Sequence, residues 1–135
     1  TQGVSSAASD VYKRQGMQWQ SPEAERIFPI VQDAFEKGKM IGGICNAASF
    51  LCAHGFLNHV KHTGNTLAVL KQWGGERYTN EDGYLEKQAV GDKNIVTANG
   101  TGYLEFTREL LLALKADTQE KIEAFYDFSK NGLVR

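Results

Sequence analysis

Only two cysteines, Cys45 and Cys52, occur in the 135 residues. They fall in one strand-turn-helix unit, where their backbones lie too far apart for a disulfide, so free thiols are expected. No apolar run approaches the roughly 20 residues a spanning helix needs, and no charged start followed by an apolar core marks a signal peptide. The expectation is a cytoplasmic protein with no membrane partner. Neither sign of charge is in excess: 15 basic residues face 16 acidic ones for a net charge of -1. Such a balance leaves no electrostatic footprint for nucleic acid. There is no internal repeat. The histidines His54, His59 and His62 with Cys45 have neither the spacing nor the CxxC or carboxylate company of a zinc site, and Asn99-Gly-Thr-Gly102 lacks the GxGxxG and P-loop patterns. No metal and no cofactor are expected.

What is present is ordinary globular composition, 41% hydrophobic and 23% charged, enough for one domain. Residues 1–15 are small and polar without sustained periodicity. The run VSSAASDVYKRQ resembles the translated end of a truncated or misassembled reading frame, and 1–15 is read as a non-native or disordered tail. The domain reading covers 16–135.

From Ser21-Pro22-Glu23 the chain reads as a short helix with an N-cap and an early acid. Pro29 restarts it, Ile30, Val31, Ala34 and Phe35 repeat at helical spacing, and Gly38 stops it. Met40 to Ile44 is a short continuous apolar run, as a strand buried on both faces requires. Ala47 to His54 is a helix closed by Gly55. Val60 to Thr63 reads as a short strand and Thr66 to Trp73 as a helix ending at Gly74-Gly75. Glu86 to Val90 and Asn94 to Ala98 read as strands about a Gly91-Asp92-Lys93 turn. Asn99 to Gly102 is a tight turn into an apolar helix, Tyr103 to Lys115. Asp117 with Glu120 suggests a capping box for a last helix, Thr118 to Lys130, with Gly132 beyond it. Trp19, Trp73, Phe125, Tyr126 and Phe128 are expected to pack and to dock the terminal helix. The alternation predicts an α/β layered fold with a mostly parallel sheet.

The stretch Met40-Ile-Gly-Gly-Ile-Cys-Asn-Ala-Ala-Ser-Phe50 is therefore read as a cysteine set where a strand gives way to a helix, with minimal side chains on both sides. A nucleophile there gains exposure above the sheet edge, the positive end of a helix, and backbone N–H groups aimed at a developing oxyanion. A helix end also favours the thiolate, the reactive form. The alternative is a small buried hydrophobe.

Ile-Gly-Gly-Ile-Cys-Asn-Ala-Ala-Ser-Phe-Leu, then Lys61-His-Thr-Gly-Asn65, then Ile95-Val-Thr-Ala-Asn-Gly-Thr-Gly-Tyr-Leu-Glu-Phe106 resembles the DJ-1/PfpI family of the class I glutamine amidotransferase-like superfamily, nearest its bacterial amidotransferase- or cysteine-peptidase-like branch. The resemblance implies a flavodoxin-like layered sheet with helices on both faces. It implies Cys45 as a nucleophile-elbow cysteine, the Asn46 N–H and the Gly16 loop as oxyanion donors, and His62 as a second catalytic residue, the alternative for His62 being a strand-end histidine that pairs with a neighbouring backbone group. Asn46 departs from members with histidine after the cysteine, which speaks against a peptidase dyad. Thr97 to Gly102 holds no histidine, which speaks against a glutaminase triad. Glu105 is assigned a structural role. The family's first half, with its acidic partner for the cysteine and a Pro-Gly-Gly loop, is represented only by Gly16, so the chain is expected to be an inactive C-terminal portion whose parent is a homodimer. The parent is expected to be a hydrolase or deglycase acting on small carbonyl or amide substrates or protein adducts. The alternatives are a redox-responsive stress protein or chaperone whose Cys45 is oxidised without turnover, and a non-catalytic dimerisation module.

Overall fold

The computed structural model describes residues 19–133. The tail reading for residues 1–15 and the Gly16 loop lie outside the described residues. The elements are α1 (Phe28–Glu36), β1 (Ile41–Ile44), α2 (Asn46–Ala53), α3 (Leu67–Gly74), β2 (Ala89–Asp92), β3 (Ile95–Ala98), α4 (Tyr103–Leu114) and α5 (Gln119–Asn131), with short 3-10 turns at Ala24–Arg26, Gly75–Arg77 and Glu81–Gly83.

Several boundaries follow directly from local chemistry. Pro29 sits in the first turn of α1, where a missing N–H costs nothing. Gly38 and Gly55 follow α1 and α2 at positive φ, conformations that favour glycine. Thr66 caps α3 by accepting from the Val69 N–H at 3.1 Å. At α5 the cap differs from the expected Asp117–Glu120 box. The Thr118 hydroxyl accepts from the Lys121 N–H, while Asp117 accepts from the Thr118 N–H.

The sheet has the order β1-β3-β2, with β1 parallel and β2 antiparallel to β3. β3 is the centre, and all four of its residues are buried. The expected turn shifts by two residues. Gly91 and Asp92 pair with Val96 and Ile95, so Lys93 and Asn94 make the turn, Lys93 at φ 54°. The segment before β2 is irregular, and Val60 to Thr63 contributes a single bridge, His62 to Tyr84, instead of a strand. It is tied to the sheet by the Thr63 N–H donating to the Thr97 hydroxyl at 2.8 Å.

Helices cover both faces, and two adjacent glycines in β1 show how. A Cβ on Gly42 would stand 2.9 Å from the Phe106 ring of α4. One on Gly43 would stand 2.7 Å from Leu51 and 3.1–3.2 Å from backbone atoms of Ala48 and Ala47 in α2. Each glycine lets one helix lie close against the strand. Trp19, Val31, Ile41, Phe50, Leu51, Leu57 and Leu70 form the core on the α2 side. α5 docks on α4 through Ile122 and a buried carboxylate. Glu105 accepts a short hydrogen bond from the Tyr126 hydroxyl and pairs with Lys130 at 3.1 Å, while the Arg108 guanidinium lies 4.2 Å over the Tyr126 ring. Of the aromatic residues expected to pack, Trp19 is buried and Trp73 partly so, whereas Phe125 and Phe128 are exposed on the outer side of α5. Among the described residues no helix is long and apolar enough to cross a membrane.

Burial alone would raise the Glu105 pKa, but hydrogen bonds from Tyr126 and Lys130 outweigh it and hold the carboxyl below its ordinary value. A carboxyl depressed in the folded state adds stability above the unfolded value of about 4 and loses it as pH falls through the lower folded value. Glu105→Gln is expected to cost roughly 1–3 kcal/mol at pH 7. Denaturant titrations between pH 7 and 3 should show the wild type losing more of its stability on acidification than the variant; parallel curves would contradict this. Gly43→Ala must push α2 off β1 by a few tenths of an ångström or more, and is expected to cost about 1–3 kcal/mol in the same assay. An unchanged midpoint would refute the close approach.

Candidate active site

β1 ends at Ile44 and α2 begins at Asn46, so the change from strand to helix is made by Cys45 alone. Its backbone takes φ 60°, ψ -127°, a region that a residue with a side chain enters only under constraint, at about 1–3 kcal/mol. The constraint is visible on both sides. The Cys45 N–H donates to the Ala98 carbonyl at 3.0 Å, prolonging the β1–β3 pairing by one bond. The Cys45 carbonyl accepts from the Ala48 N–H at 3.1 Å, which starts α2. With both backbone groups held, the side chain is left at the carboxyl ends of β1 and β3, where α/β sheets place their ligand crevices. The thiol is half-buried and sits at the amide-bearing first turn of α2, whose dipole favours negative charge.

Two other segments meet the sulfur. Asn65, just before the α3 cap, directs its side-chain Nδ2 to the Cys45 Sγ at 3.3 Å and to the Asn46 Oδ1 at 3.2 Å. Its Oδ1 accepts from the Gly100 N–H at 2.9 Å. Gly100 belongs to the loop after β3, and a Cβ there would stand 3.2 Å from the sulfur. The loop holds its own shape, with the Gly102 N–H donating to the Asn99 carbonyl and the Thr101 N–H to the Asn99 side chain. Alongside lies an open cleft of about 740 Å³, lined by Asn65, Thr66, Tyr84, Lys87, Gln88 and Asn99 among others. Asn65 and the Asn99 loop connect it to Cys45. Among the described residues no carboxylate or imidazole hydrogen-bonds the sulfur.

Of the residues expected at the site, Cys45 and Asn46 stand together and Gly16 lies outside the described residues. His62 is placed differently. It is fully buried, with Nδ1 against the Val60 carbonyl at 2.8 Å and Nε2 against the Tyr78 hydroxyl at 2.7 Å. A carbonyl only accepts, so Nδ1 carries the proton and the tyrosine hydroxyl donates to Nε2. Burial lowers the imidazole pKa, and the bond to Val60 offsets only part of that, so the ring is neutral at pH 7. Neither nitrogen is left for the Cys45 thiol. Cys52, seven residues on, has no access to solvent, donates to the Leu70 carbonyl at 3.4 Å, and is pushed up to about 12 by burial. His54 stacks on Phe28 with ring centroids 4.5 Å apart and faces Glu25 at 3.3 Å. Among the described residues no group of three His, Cys, Asp or Glu side chains is placed to hold a metal ion.

Asn65 closes one of the three sequence motifs, yet nothing local gave it a role. The only nearby signal was a second amide next to a helix cap, and its meaning depends on Cys45 and Gly100, 20 and 35 residues away. Tyr78, the partner of His62, carried no signal at all.

Comparison with known proteins agrees with this architecture. The chain is 39% identical over 117 residues to a Bacillus subtilis protein named as the uncharacterized protease YdeA, covering 87% of this chain and 58% of that protein. It is 34% identical over 115 residues to a second B. subtilis protein named as the uncharacterized protease YoaZ, covering 85% and 54%. The chain thus spans somewhat over half the length of these relatives. The fold matches the crystal structure of a ThiJ/PfpI family protein from Bacillus anthracis with a TM-score of 0.80 at 30% identity, over 85% of this chain and 54% of that one. It matches a DJ-1 superfamily protein from Agrobacterium tumefaciens with a TM-score of 0.73 at 33% identity, over 84% and 59%. Residues 16–113, which carry β1, the Cys45 turn, the sheet and nearly all of α4, match the DJ-1/PfpI family, and to that family the chain belongs.

Proposed function

We propose that this chain carries the nucleophile-bearing part of a cysteine-dependent hydrolase or deglycase that acts on small carbonyl or amide substrates. The observation behind the reading is the Cys45 backbone. A positive φ at a non-glycine residue between strand and helix is costly, and such strain collects where a side chain must be held in one working position. The sulfur attacks a carbonyl carbon, forming a C–S bond while the π electrons move to oxygen. The oxyanion lies toward the first amides of α2, with the Asn46 N–H as donor. From an amide, the carbonyl re-forms as the C–N bond breaks, the nitrogen takes a proton from solvent water, and a thioester remains. A water then adds to the thioester carbon and gives a proton to solvent, the C–S bond breaks, and the carboxylic acid and the Cys45 thiolate separate. In this reading His62, neutral and held between Val60 and Tyr78, supports the segment leading to Asn65 and takes no proton. The hydrolytic names of the two B. subtilis relatives support the reaction class.

A second reading is oxidation of Cys45 without turnover, supported by a partly accessible sulfur whose side-chain partner is the Asn65 amide donor. Incubation with p-nitrophenyl acetate separates the two. An acetyl adduct on Cys45, absent from Cys52 and from Cys45→Ser, is expected by peptide mass spectrometry. Acylation of both thiols at equal rates would overturn the nucleophile reading. Selective Cys45 oxidation by dilute peroxide with no acyl adduct would establish the second one.

A further inference from the structure

We propose that Asn65 is a positioning residue for Cys45: its side-chain amide holds the sulfur as a hydrogen-bond acceptor and fixes its direction, an inference that rests on the nucleophile reading above. Each hydrogen of Nδ2 has a partner, one the Cys45 sulfur and the other the Asn46 side-chain oxygen. The two ends of an amide are nearly alike in shape, so the neighbours decide which way it points. Here the neighbour is the Gly100 N–H, which only donates; it draws Oδ1 to itself and turns Nδ2 toward the sulfur. Three segments remote in sequence, the Cys45 turn, the entry to α3 and the loop after β3, thereby set one contact.

An amide N–H does not accept a proton, so Asn65 is not a base. It acts on the direction of the sulfur, and because a thiolate is a stronger acceptor than a thiol, a fixed N–H donor suits the attacking form. Asn65 also lines the neighbouring cleft, so the side chain that steadies the sulfur forms part of the wall a substrate would pass. Gly100 completes the arrangement, since a Cβ there would stand 3.2 Å from the sulfur, tighter than ordinary contact.

The test is the pH dependence of Cys45 alkylation by iodoacetamide in the full chain, read by peptide mass spectrometry. Buried Cys52 serves as the internal blank. Asn65→Asp keeps an oxygen for the Gly100 N–H but replaces the donor with a carboxylate, and Asn65→Ala removes the donor without adding charge. Both should move the alkylation midpoint to higher pH and slow the reaction at pH 7, by about tenfold for alanine, the size of one charge-assisted hydrogen bond, and further for aspartate. Thermal unfolding is followed in parallel; should the aspartate variant lose its cooperative transition, the alanine variant carries the test, with thiolate ultraviolet absorbance as a second reading. A residue that merely tied the loops together would lower the unfolding temperature and leave the pH profile in place, and wild-type profiles in both variants would overturn the proposal. A wild-type Cys45 that alkylates no faster than Cys52 is a different failure, because it removes the nucleophile reading itself.

Discussion

The contact between α2 and β1 at Gly43 governs the candidate site. Helix and strand approach so closely there that backbone atoms of Ala47 and Ala48 would meet any Cβ. A chain that turns from strand to helix within one residue, while keeping both elements this near, leaves that residue little choice of backbone angles. Cys45 accordingly takes φ 60° and is held by one hydrogen bond to the sheet and one to the helix. Strain of this kind persists only where the surroundings over-determine it, and here close packing supplies the determination. The small residues around the cysteine are thus the condition for the turn as well as the space around it.

The two cysteines show how far a few residues of helix can separate chemical character. Cys45 stands at the start of α2, half-buried, with the Asn65 amide donating to its sulfur. Cys52 lies near the end of the same helix, sealed against Leu70 and Gly74, its ionisation suppressed by burial. The buried His62–Tyr78 pair belongs with Cys52 in kind. It is a neutral, satisfied polar contact that specifies packing, and it steadies the segment from which Asn65 reaches the sulfur.

Much of this arrangement was readable in the residues because the signals were local. Gly38, Gly55 and Thr66 mark helix ends through backbone and capping chemistry that needs no tertiary context, and the apolar run before Cys45 marks a buried strand. The hairpin turn was displaced because Gly91 and Asp92, good turn residues by themselves, are drawn into pairing with β3. Phe125 and Phe128 were expected inside, but α5 touches α4 along one face only, and the Glu105–Tyr126–Lys130 contact decides which face that is. His62 was legible in part, since Val60, the backbone partner of its Nδ1, is two residues away, whereas Tyr78 arrives from 16 residues on; Asn65 was beyond local reading because its partners come from Cys45 and Gly100.

The central claim is that the protein holds Cys45 in a backbone conformation its side chain disfavours. Denaturant unfolding of Cys45→Ala and Cys45→Gly measures this directly, because both remove the sulfur and only glycine tolerates the observed angles without strain. Glycine normally loses to alanine through the extra freedom of the unfolded chain. Here the order should invert, with Cys45→Gly the more stable by about 1–2 kcal/mol. Equal stabilities, or alanine ahead, would show that the turn is unstrained and would remove the basis for reading it as a built site.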